Sequence, residues 1–249
     1  MVRQLADGLL AVLLAPRCLA CGHPLESPLG GPVCPSCWRA VVPIPPPLCL
    51  VCGDALPSWR QVDLASACCA RCRRLKPSWT VARAAGAYEG ALREVIHGLK
   101  YEGRRTLAAP LGALMRTRGA EVLEGADLAV PVPLHWRRRH ARGFNQAEDL
   151  ARHLGLPVVR ALRRVRPTRP QSGLTAAARR HNLRRAFAAP RRGWRGRRHD
   201  PRIEDACVVM VDDVSTTGAT LDACAQVLLA GGAREVRALT AAKAILRRL

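Results

Sequence analysis

The sequence contains no apolar run near the roughly 20 residues that a membrane-spanning helix requires. The longest candidate, residues 9–15 (LLAVLLA), has only seven residues. Pro16, Arg17 and Cys18 follow it, where a secretory signal would carry a small-residue cleavage site. We therefore expect an amphipathic N-terminal helix that packs on the rest of the protein, no membrane span and a cytoplasmic location.

Lysine and acidic residues are scarce. The 249 residues include 40 Lys plus Arg against 19 Asp plus Glu, a formal net charge of +21, and only Lys76, Lys100 and Lys243 are lysines. Arginine forms bidentate contacts with phosphate groups, so such a surface suits polyanions, nucleic acid among them. A composition rich in Ala and Arg and poor in Lys also follows from high genomic GC content, so charge alone leaves nucleic-acid binding open.

Aromatic residues make up 4% of the chain, which is little for a protein that binds single strands by base stacking. Trp136 and Phe144 flank an arginine run, and Trp194 lies within the arginine-rich residues 190–199 (PRRGWRGRRH). Each of these aromatic residues suits packing as well as stacking, and a solvated loop is the default interpretation of residues 190–199. The 49% of hydrophobic residues excludes global disorder.

Cysteine, in contrast, is abundant, and nine of the 11 cysteines lie between Cys18 and Cys72. A CxxC turn directs two thiolates toward one tetrahedral ion, and two such turns complete a closed Cys₄ zinc site. Four turns therefore predict two structural zinc ions without an open coordination position, and Cys68 is the spare. Sequential and interleaved combinations of the turns both satisfy the ions. The predicted ligands are Cys18, Cys21, Cys34, Cys37, Cys49, Cys52, Cys69 and Cys72.

The pattern of the sequence changes at about residue 81, where a cysteine-rich region gives way to alternating strand-like and helical segments. We predict that residues 1–80 hold the N-terminal helix and a double zinc ribbon, whose folding depends on the metal and whose halves are joined by a stiff spacer, residues 43–47 (PIPPP). In residues 81–249, strand-like and helical segments alternate, which predicts an α/β domain with a parallel sheet. Strands are expected at 81–88, 128–132, 156–159, 207–211 and from 235, and helices at 91–100, 107–115, 145–154 and 221–230.

The most informative segment is residues 209–220, VMVDDVSTTGAT. An acid pair follows a strand predicted to be buried on both faces, at the edge where open α/β sheets bind ligands. Small and hydroxyl-bearing residues then lead into a helix, and their backbone N–H groups together with the helix dipole favour an anion. The predicted binding residues are Asp212, Asp213, Ser215, Thr216, Thr217, Gly218, Ala219 and Thr220.

Two common nucleotide-binding motifs are missing, since neither GxGxxG nor GK[ST] occurs. An acid pair above a phosphate loop suits a sugar phosphate instead, because carboxylates accept hydrogen bonds from ribose hydroxyls while the loop holds the 5′-phosphate. The alternative is an N-capped turn without a ligand, which the order of strand, acid pair, loop and helix disfavours.

The segment VVMVDDVSTTGATL resembles the phosphoribosyl-pyrophosphate (PRPP) motif of type I phosphoribosyltransferases. Residues 18–239 as a whole resemble the ComF family, in which zinc ribbons precede a phosphoribosyltransferase domain. Residues 130–152 (VPVPLHWRRRHARGFNQAEDLAR) and 171–187 (QSGLTAAARRHNLRRAF) support the resemblance. It implies a type I phosphoribosyltransferase-like parallel sheet with flanking helices, and an association with DNA uptake in natural transformation.

The resemblance also implies roles for individual residues. The acid pair would hold the ribose 2′ and 3′ hydroxyls of PRPP, and residues 215–220 the 5′-phosphate, with Mg²⁺ bound mostly by PRPP oxygens and water. Residues 132–135 correspond to a pyrophosphate loop and residues 171–182 to a mobile hood, although alanines at 176–178 stand where relatives often carry a charge. The pyrophosphate and hood candidates are Val132, Pro133, Arg137, Arg138, Arg142, Arg179 and Arg180.

No catalytic residue is assigned, and three functions stay open. The first is a protein of DNA uptake that binds PRPP and Mg²⁺, handles single-stranded DNA and transfers a phosphoribosyl group to an unknown acceptor. The others are a nucleobase phosphoribosyltransferase of nucleotide salvage and a PRPP-sensing regulator without turnover. The expected partners are PRPP, single-stranded DNA and DNA-uptake proteins, and the sequence does not define the oligomeric state.

Overall fold

The computed structural model describes residues 2–56, 67–165, 186–190 and 199–245. Four parallel strands form the central sheet in the order β1-β6-β5-β2, and β3 and β4 form a small antiparallel pair. The strands are β1 (Ala82–Ala84), β2 (Leu128–Pro131), β3 (Arg163–Arg164), β4 (Phe187–Ala188), β5 (Cys207–Ser215) and β6 (Glu235–Lys243).

Helices cover both faces of the sheet, as the alternation of strand and helix in the sequence predicts. Among the described residues, no helix combines the length and the apolar character needed to cross a bilayer. The helices are α1 (Val2–Leu14), α2 (Pro35–Arg39), α3 (Ala70–Leu75), α4 (Gly90–Tyr101), α5 (Ala108–Arg118), α6 (Ala120–Leu123), α7 (Trp136–Arg142), α8 (Gln146–Ala151) and α9 (Ala219–Ala230).

Alternate residues of β5 build two separate apolar layers. Val208 and Met210 pack with α9 on one face, whereas Val209 and Val211 pack with α4, α5 and α8 on the other. All four side chains are fully buried. A continuous apolar strand is the sequence signature of this two-sided burial, and burying one such side chain contributes about 1.5–3 kcal/mol.

The cysteine-rich region shares both layers. Cys18 and Cys37 of the first ribbon pack with the α4 and α5 layer. Cys49 and Cys52 of the second ribbon pack with the α9 layer. Each ribbon therefore covers one face of the sheet and gains core contacts that so small a module does not supply by itself.

Three strand predictions need correction. Strand β5 continues through Ser215, because its ladder with β6 extends to the pair Ser215–Lys243, so Asp212 and Asp213 lie within the strand rather than after it. Residues 156–159 form no regular strand and contribute one isolated parallel bridge, between Val158 and Ala129. Of the strand expected at 81–88, only residues 82–84 pair regularly, with β6.

The N-terminal helix contacts the first ribbon, in line with the expectation that it packs on the rest of the protein, but several of its large apolar side chains are exposed. Asp7 is buried and accepts a hydrogen bond from the Leu29 amide at 2.7 Å, which anchors α1 on the first ribbon. Leu9, Val12 and Leu13 are between 62% and 82% exposed. The first ribbon thus holds the helix at Asp7 and leaves Leu9, Val12 and Leu13 largely exposed.

Candidate functional site

Two groups of four cysteines lie where the sequence predicts zinc sites. Within each group all sulfur atoms are within 4.8 Å of one another. The Sγ atoms of Cys18 and Cys37 are 3.8 Å apart in the first group, and those of Cys52 and Cys69 are 3.7 Å apart in the second. Four sulfur atoms about 2.3 Å from a tetrahedral zinc ion are about 3.8 Å from each other, so the spacing fits zinc.

The CxxC turns combine sequentially, which settles a choice that the spacing left open. The first centre joins the first two turns and the second centre joins the last two. Matching backbone contacts support both centres, because the Cys34 amide donates to Cys18 Sγ and the Cys69 amide to Cys49 Sγ, each at 3.3 Å. Cys68 stays outside the ligand set, as predicted. Both centres are closed Cys₄ zinc-binding sites, which is the structural type.

A cavity of about 350 Å³ opens at the carboxyl ends of β2 and β5. Seven of the eight residues predicted for PRPP line it. Thr217 is not among them: its hydroxyl is buried and has no hydrogen-bond partner in the part of the chain that the structure describes. The lining residues from the predicted set are Asp212, Asp213, Ser215, Thr216, Gly218, Ala219 and Thr220.

The two carboxylates at the floor of this cavity have different surroundings. Burial and the neighbouring charge of Asp213 raise the pKa of Asp212 to about 7. The Asp213 amide donates to Asp212 Oδ1 at 2.9 Å. Asp213 is 5% exposed and ion-paired. The charge of Asp213 is therefore compensated within the protein. The charged form of Asp212 is unfavourable until a ligand donates hydrogen bonds to it.

Lys100 and Gln146 provide the compensation for Asp213. The ammonium of Lys100, in the last turn of α4, lies 2.7 Å from Asp213 Oδ1, and Gln146 Nε2 donates to Oδ2 at 2.5 Å. Gln146 Oε1 is buried and accepts no hydrogen bond from the described residues. The carboxylate is thus held at both oxygens, by a cation from one helix and an amide from another.

Two buried carboxylates in the first turn of α8, next to Gln146, form ion pairs with exposed arginines. Asn145 caps the helix by accepting from the Ala147 amide at 3.3 Å. In its first turn, Asp149 pairs with Arg105 at 2.7 Å, and Glu148 pairs with Arg160. Burial opposes ionisation of Glu148, but the Arg160 hydrogen bond and charge outweigh it and lower its pKa. Arg105, which precedes α8 in the chain, and Arg160, which follows it, therefore hold the first turn of the helix through these ion pairs.

The phosphate loop turns sharply between β5 and α9. Gly218 precedes the first helical residue with φ +78°, a conformation that favours glycine, and a Cβ there would come within 2.8 Å of the Trp79 ring. Helix α9 then runs for 12 residues and ends at Gly231. Its first residues, Ala219, Thr220 and Leu221, line the cavity, so the N-terminus of the helix, which favours anions, lies at the cavity wall.

Four of the predicted pyrophosphate residues line the same cavity as this loop. Val132, Pro133, Arg138 and Arg142 line it. The Arg142 guanidinium lies 5.0 Å from the centre of the Tyr101 ring. Arg137 belongs to α7. The hood candidates Arg179 and Arg180, and residues 191–198 of the arginine-rich insert, lie outside the described residues.

Among the charged and amide-bearing side chains that line the cavity, three had no predicted role: Lys100, Gln146 and Arg164. Gln146 stands in the quoted segment RGFNQ, whereas Lys100 had only an indirect signal as one of three lysines among 40 basic residues. Arg164, in β3, is part of the cavity wall and contacts the Phe187 ring at 5.3 Å. The sequence does not connect these three residues with the site, because α4, α8 and β3 are far from residues 209–220 along the chain.

Comparison with known families agrees with this geometry. Residues 9–73 match the double zinc ribbon domain family, and residues 140–248 match the phosphoribosyl transferase domain family. The two matches correspond to the two Cys₄ centres and to the part of the sheet that contains the phosphate loop.

Similar proteins extend the likeness over most of the chain. The DNA utilization protein YhgH of Salmonella typhimurium is 35% identical over 225 residues, which cover 81% of this chain and 93% of that protein. Competence protein F of Haemophilus influenzae is 31% identical over 240 residues, covering 92% and 97%. The YhgH protein of Escherichia coli strain K12 is 33% identical over 231 residues, covering 88% and 93%.

Proposed function

The chain belongs to the ComF family, and from this we propose that it binds PRPP with Mg²⁺ and acts in the uptake or use of DNA. The observation that supports PRPP binding most strongly is the meeting of an acid pair and a small-residue loop in one cavity. The DNA role rests on the names of the relatives, one for competence and one for DNA utilization, and on the net charge of +21.

The acid pair would bind the ribose of PRPP. Asp213 is held by Lys100 on one oxygen and by Gln146 on the other, so each oxygen keeps a lone pair in a fixed direction for a ligand hydroxyl. Asp212, with a pKa of about 7, gains from hydrogen bonds donated by ribose hydroxyls, because these favour its charged form. Two hydroxyls on adjacent carbons fit this pair of adjacent acceptors.

The phosphate groups would occupy the two rims of the cavity. Backbone amides at the start of α9 and the hydroxyls of Ser215, Thr216 and Thr220 supply donors for the 5′-phosphate. Arg138 and Arg142 line the side where the diphosphate would lie, and guanidinium groups bind such oxygens in a bidentate manner. Bound Mg²⁺ would neutralise part of the diphosphate charge while keeping several water ligands.

Single-stranded DNA is the proposed macromolecular ligand. Arginines and exposed aromatic side chains occur together near the cavity: Tyr101 lines it and is 65% exposed, and Trp136, 64% exposed, begins α7, the helix that carries Arg138 and Arg142. Bases stack on such rings, and arginine contacts to phosphates release counterions. Transfer of the phosphoribosyl group to a DNA or nucleobase acceptor would make the protein an enzyme, and release of pyrophosphate distinguishes this from binding alone.

Calorimetric titration of the full chain with PRPP, with and without Mg²⁺, tests the proposal. We expect saturable binding that requires Mg²⁺ and is lost in Asp212→Asn/Asp213→Asn. The matched control is Asp205→Asn, because Asp205 is 84% exposed and its positive φ of 56° is one that asparagine tolerates. Equal affinity of the double variant and the wild type would remove the site, and absence of binding would remove the proposal.

A further inference from the structure

The second zinc centre lies directly behind the phosphate loop, on the α9 face of the sheet. Cys49, Cys52 and Cys72 share one buried cluster with Trp79 and with Leu221 of the first turn of α9. The first zinc centre belongs to the opposite layer. The two metal centres are therefore not equivalent with respect to the cavity.

Trp79 connects the second centre to the glycine of the loop. Its indole Nε1 donates to the carbonyl oxygen of Val51 at 3.2 Å, and Val51 stands between the two cysteines of one CxxC turn. The outer edge of the same ring faces Gly218 so closely that a Cβ there would lie 2.8 Å from it. Trp79 is 7% exposed, so a buried, rigid aromatic ring lies between the metal turn and the loop.

Lys243 makes a second connection, at the end of β6. Its ammonium donates to the carbonyl oxygen of Cys52 at 2.8 Å and pairs with Asp54 Oδ1 at 2.9 Å. Its backbone lies opposite Ser215 in the ladder, and the following amide, of Ala244, donates to the Ser215 carbonyl oxygen at 2.9 Å. The side chain is 6% exposed, so this lysine ties the metal turn to the residue where the loop begins.

We propose that the second zinc centre fixes the shape of the phosphate loop, with Trp79 and Lys243 as positioning residues that join the two. Zinc at Cys49, Cys52, Cys69 and Cys72 holds the Val51 and Cys52 carbonyl groups in place. These carbonyl groups hold the Trp79 ring and the Lys243 ammonium, which in turn confine Gly218 and Ser215. Loss of zinc from this centre loosens the loop, whereas loss from the first centre does not.

Hydrogen exchange of the ligand-free, zinc-loaded full chain tests the coupling without any PRPP. Trp79→Phe removes the indole donor and the outer ring, and Lys243→Met removes the ammonium at similar length. In either variant we expect exchange of the amides at 215–221 to become about 5- to 30-fold faster, while those of α4 stay unchanged. Lys243→Arg, which keeps a cation that reaches the same acceptors, should retain most of the protection.

Trp38→Phe is the matched control. Trp38 lies in α2 of the first ribbon and packs against the α4 layer, so the same substitution there should leave the loop amides unchanged. Unchanged loop exchange in both Trp79→Phe and Lys243→Met would overturn the proposal, and so would equal loosening by Trp38→Phe. If the Trp79→Phe variant loses its second zinc ion, the Lys243→Met variant alone tests the proposal. Residue 243 lies in β6, outside the ribbon, so its substitution leaves the zinc ligands and their turns intact.

A second arm rests on the proposed function. If PRPP binds as proposed, both variants should weaken its affinity by about the same 5- to 30-fold, and by linkage bound PRPP should slow removal of one of two zinc ions by a chelator. A change in loop exchange without a change in affinity would refute the link to the ligand. If the wild type binds no PRPP, the proposed function fails, and the exchange measurement still decides whether the second centre shapes the loop.

Discussion

Asp212→Asn should make the ligand-free protein more stable at neutral and alkaline pH. Desolvation and the charge of the neighbouring Asp213 carboxylate raise the pKa of the wild-type Asp212 carboxyl from 3.8 to about 7. Asparagine keeps the oxygen that accepts from the Asp213 amide and removes the charge. We thus expect Asp212, the residue proposed to bind ribose, to destabilise the folded protein when no ligand is bound, as binding-site residues often do.

The size and sign of the effect follow from proton linkage. Each tenfold change in proton affinity is worth about 1.4 kcal/mol, so the difference between 3.8 and about 7 corresponds to about 4 kcal/mol at pH 8. Because the folded chain binds this proton more tightly, stability falls as pH rises from about 4 to about 7. Allowing for imperfect replacement by an amide, we expect Asp212→Asn to gain roughly 2–4 kcal/mol at pH 8.

Urea unfolding at a series of pH values measures this gain. The advantage of Asp212→Asn over the wild type should be largest at pH 8 and should shrink as pH falls toward 4, where both folded forms are neutral at this position. Asp205→Asn, at an exposed site, should differ from the wild type by less than about 0.5 kcal/mol at every pH. A destabilised Asp212→Asn at pH 8, or a gain that does not vary with pH, would refute the reasoning.

Three further predictions concern the ion pair, the metals and DNA. Lys100→Met should destabilise the protein by about 3–5 kcal/mol in urea unfolding, and adding Asp213→Asn should recover most of the loss; no recovery would show that the ammonium does not compensate Asp213. Metal analysis should find two zinc ions per chain, and cysteines in disulfides instead would contradict both centres. Affinity for single-stranded DNA in fluorescence anisotropy should fall steeply and linearly with log salt, and no binding at low salt would exclude the DNA role.

Local signals account for what the sequence predicts well. The CxxC spacing encodes a turn that presents two thiolates, so all eight zinc ligands follow from the sequence. The apolar run of β5 reports burial on both faces, and the small residues after it mark the turn into α9. Each of these features depends on residues that are neighbours along the chain.

The features that the sequence does not predict depend on contacts between residues far apart along the chain. The extension of β5 to Ser215 is set by the ladder with β6, and the sequential combination of CxxC turns by how each ribbon packs on the sheet. Lys100 reaches Asp213 only because α4 ends beside the cavity. A hint was present in composition: in a chain whose basic residues are nearly all arginine, the Lys100 and Lys243 side chains are only 15% and 7% exposed, and each pairs with an aspartate.

The uncovered apolar face of α1 shows another limit. The pattern of Leu9, Val12 and Leu13 predicts an amphipathic helix correctly, but periodicity does not identify what the apolar face contacts. The contact that anchors this helix is polar, through Asp7 and the Leu29 amide.

A crystal structure of the full chain with PRPP and Mg²⁺ tests the central claim most directly. We predict density for the 5′-phosphate within hydrogen-bond distance of the amides at 215–220, ribose hydroxyls on Asp212 and Asp213, and the diphosphate on the side of Arg138 and Arg142. PRPP bound at another place, or a cavity that stays free of ligand at concentrations that saturate the protein in solution, would contradict it.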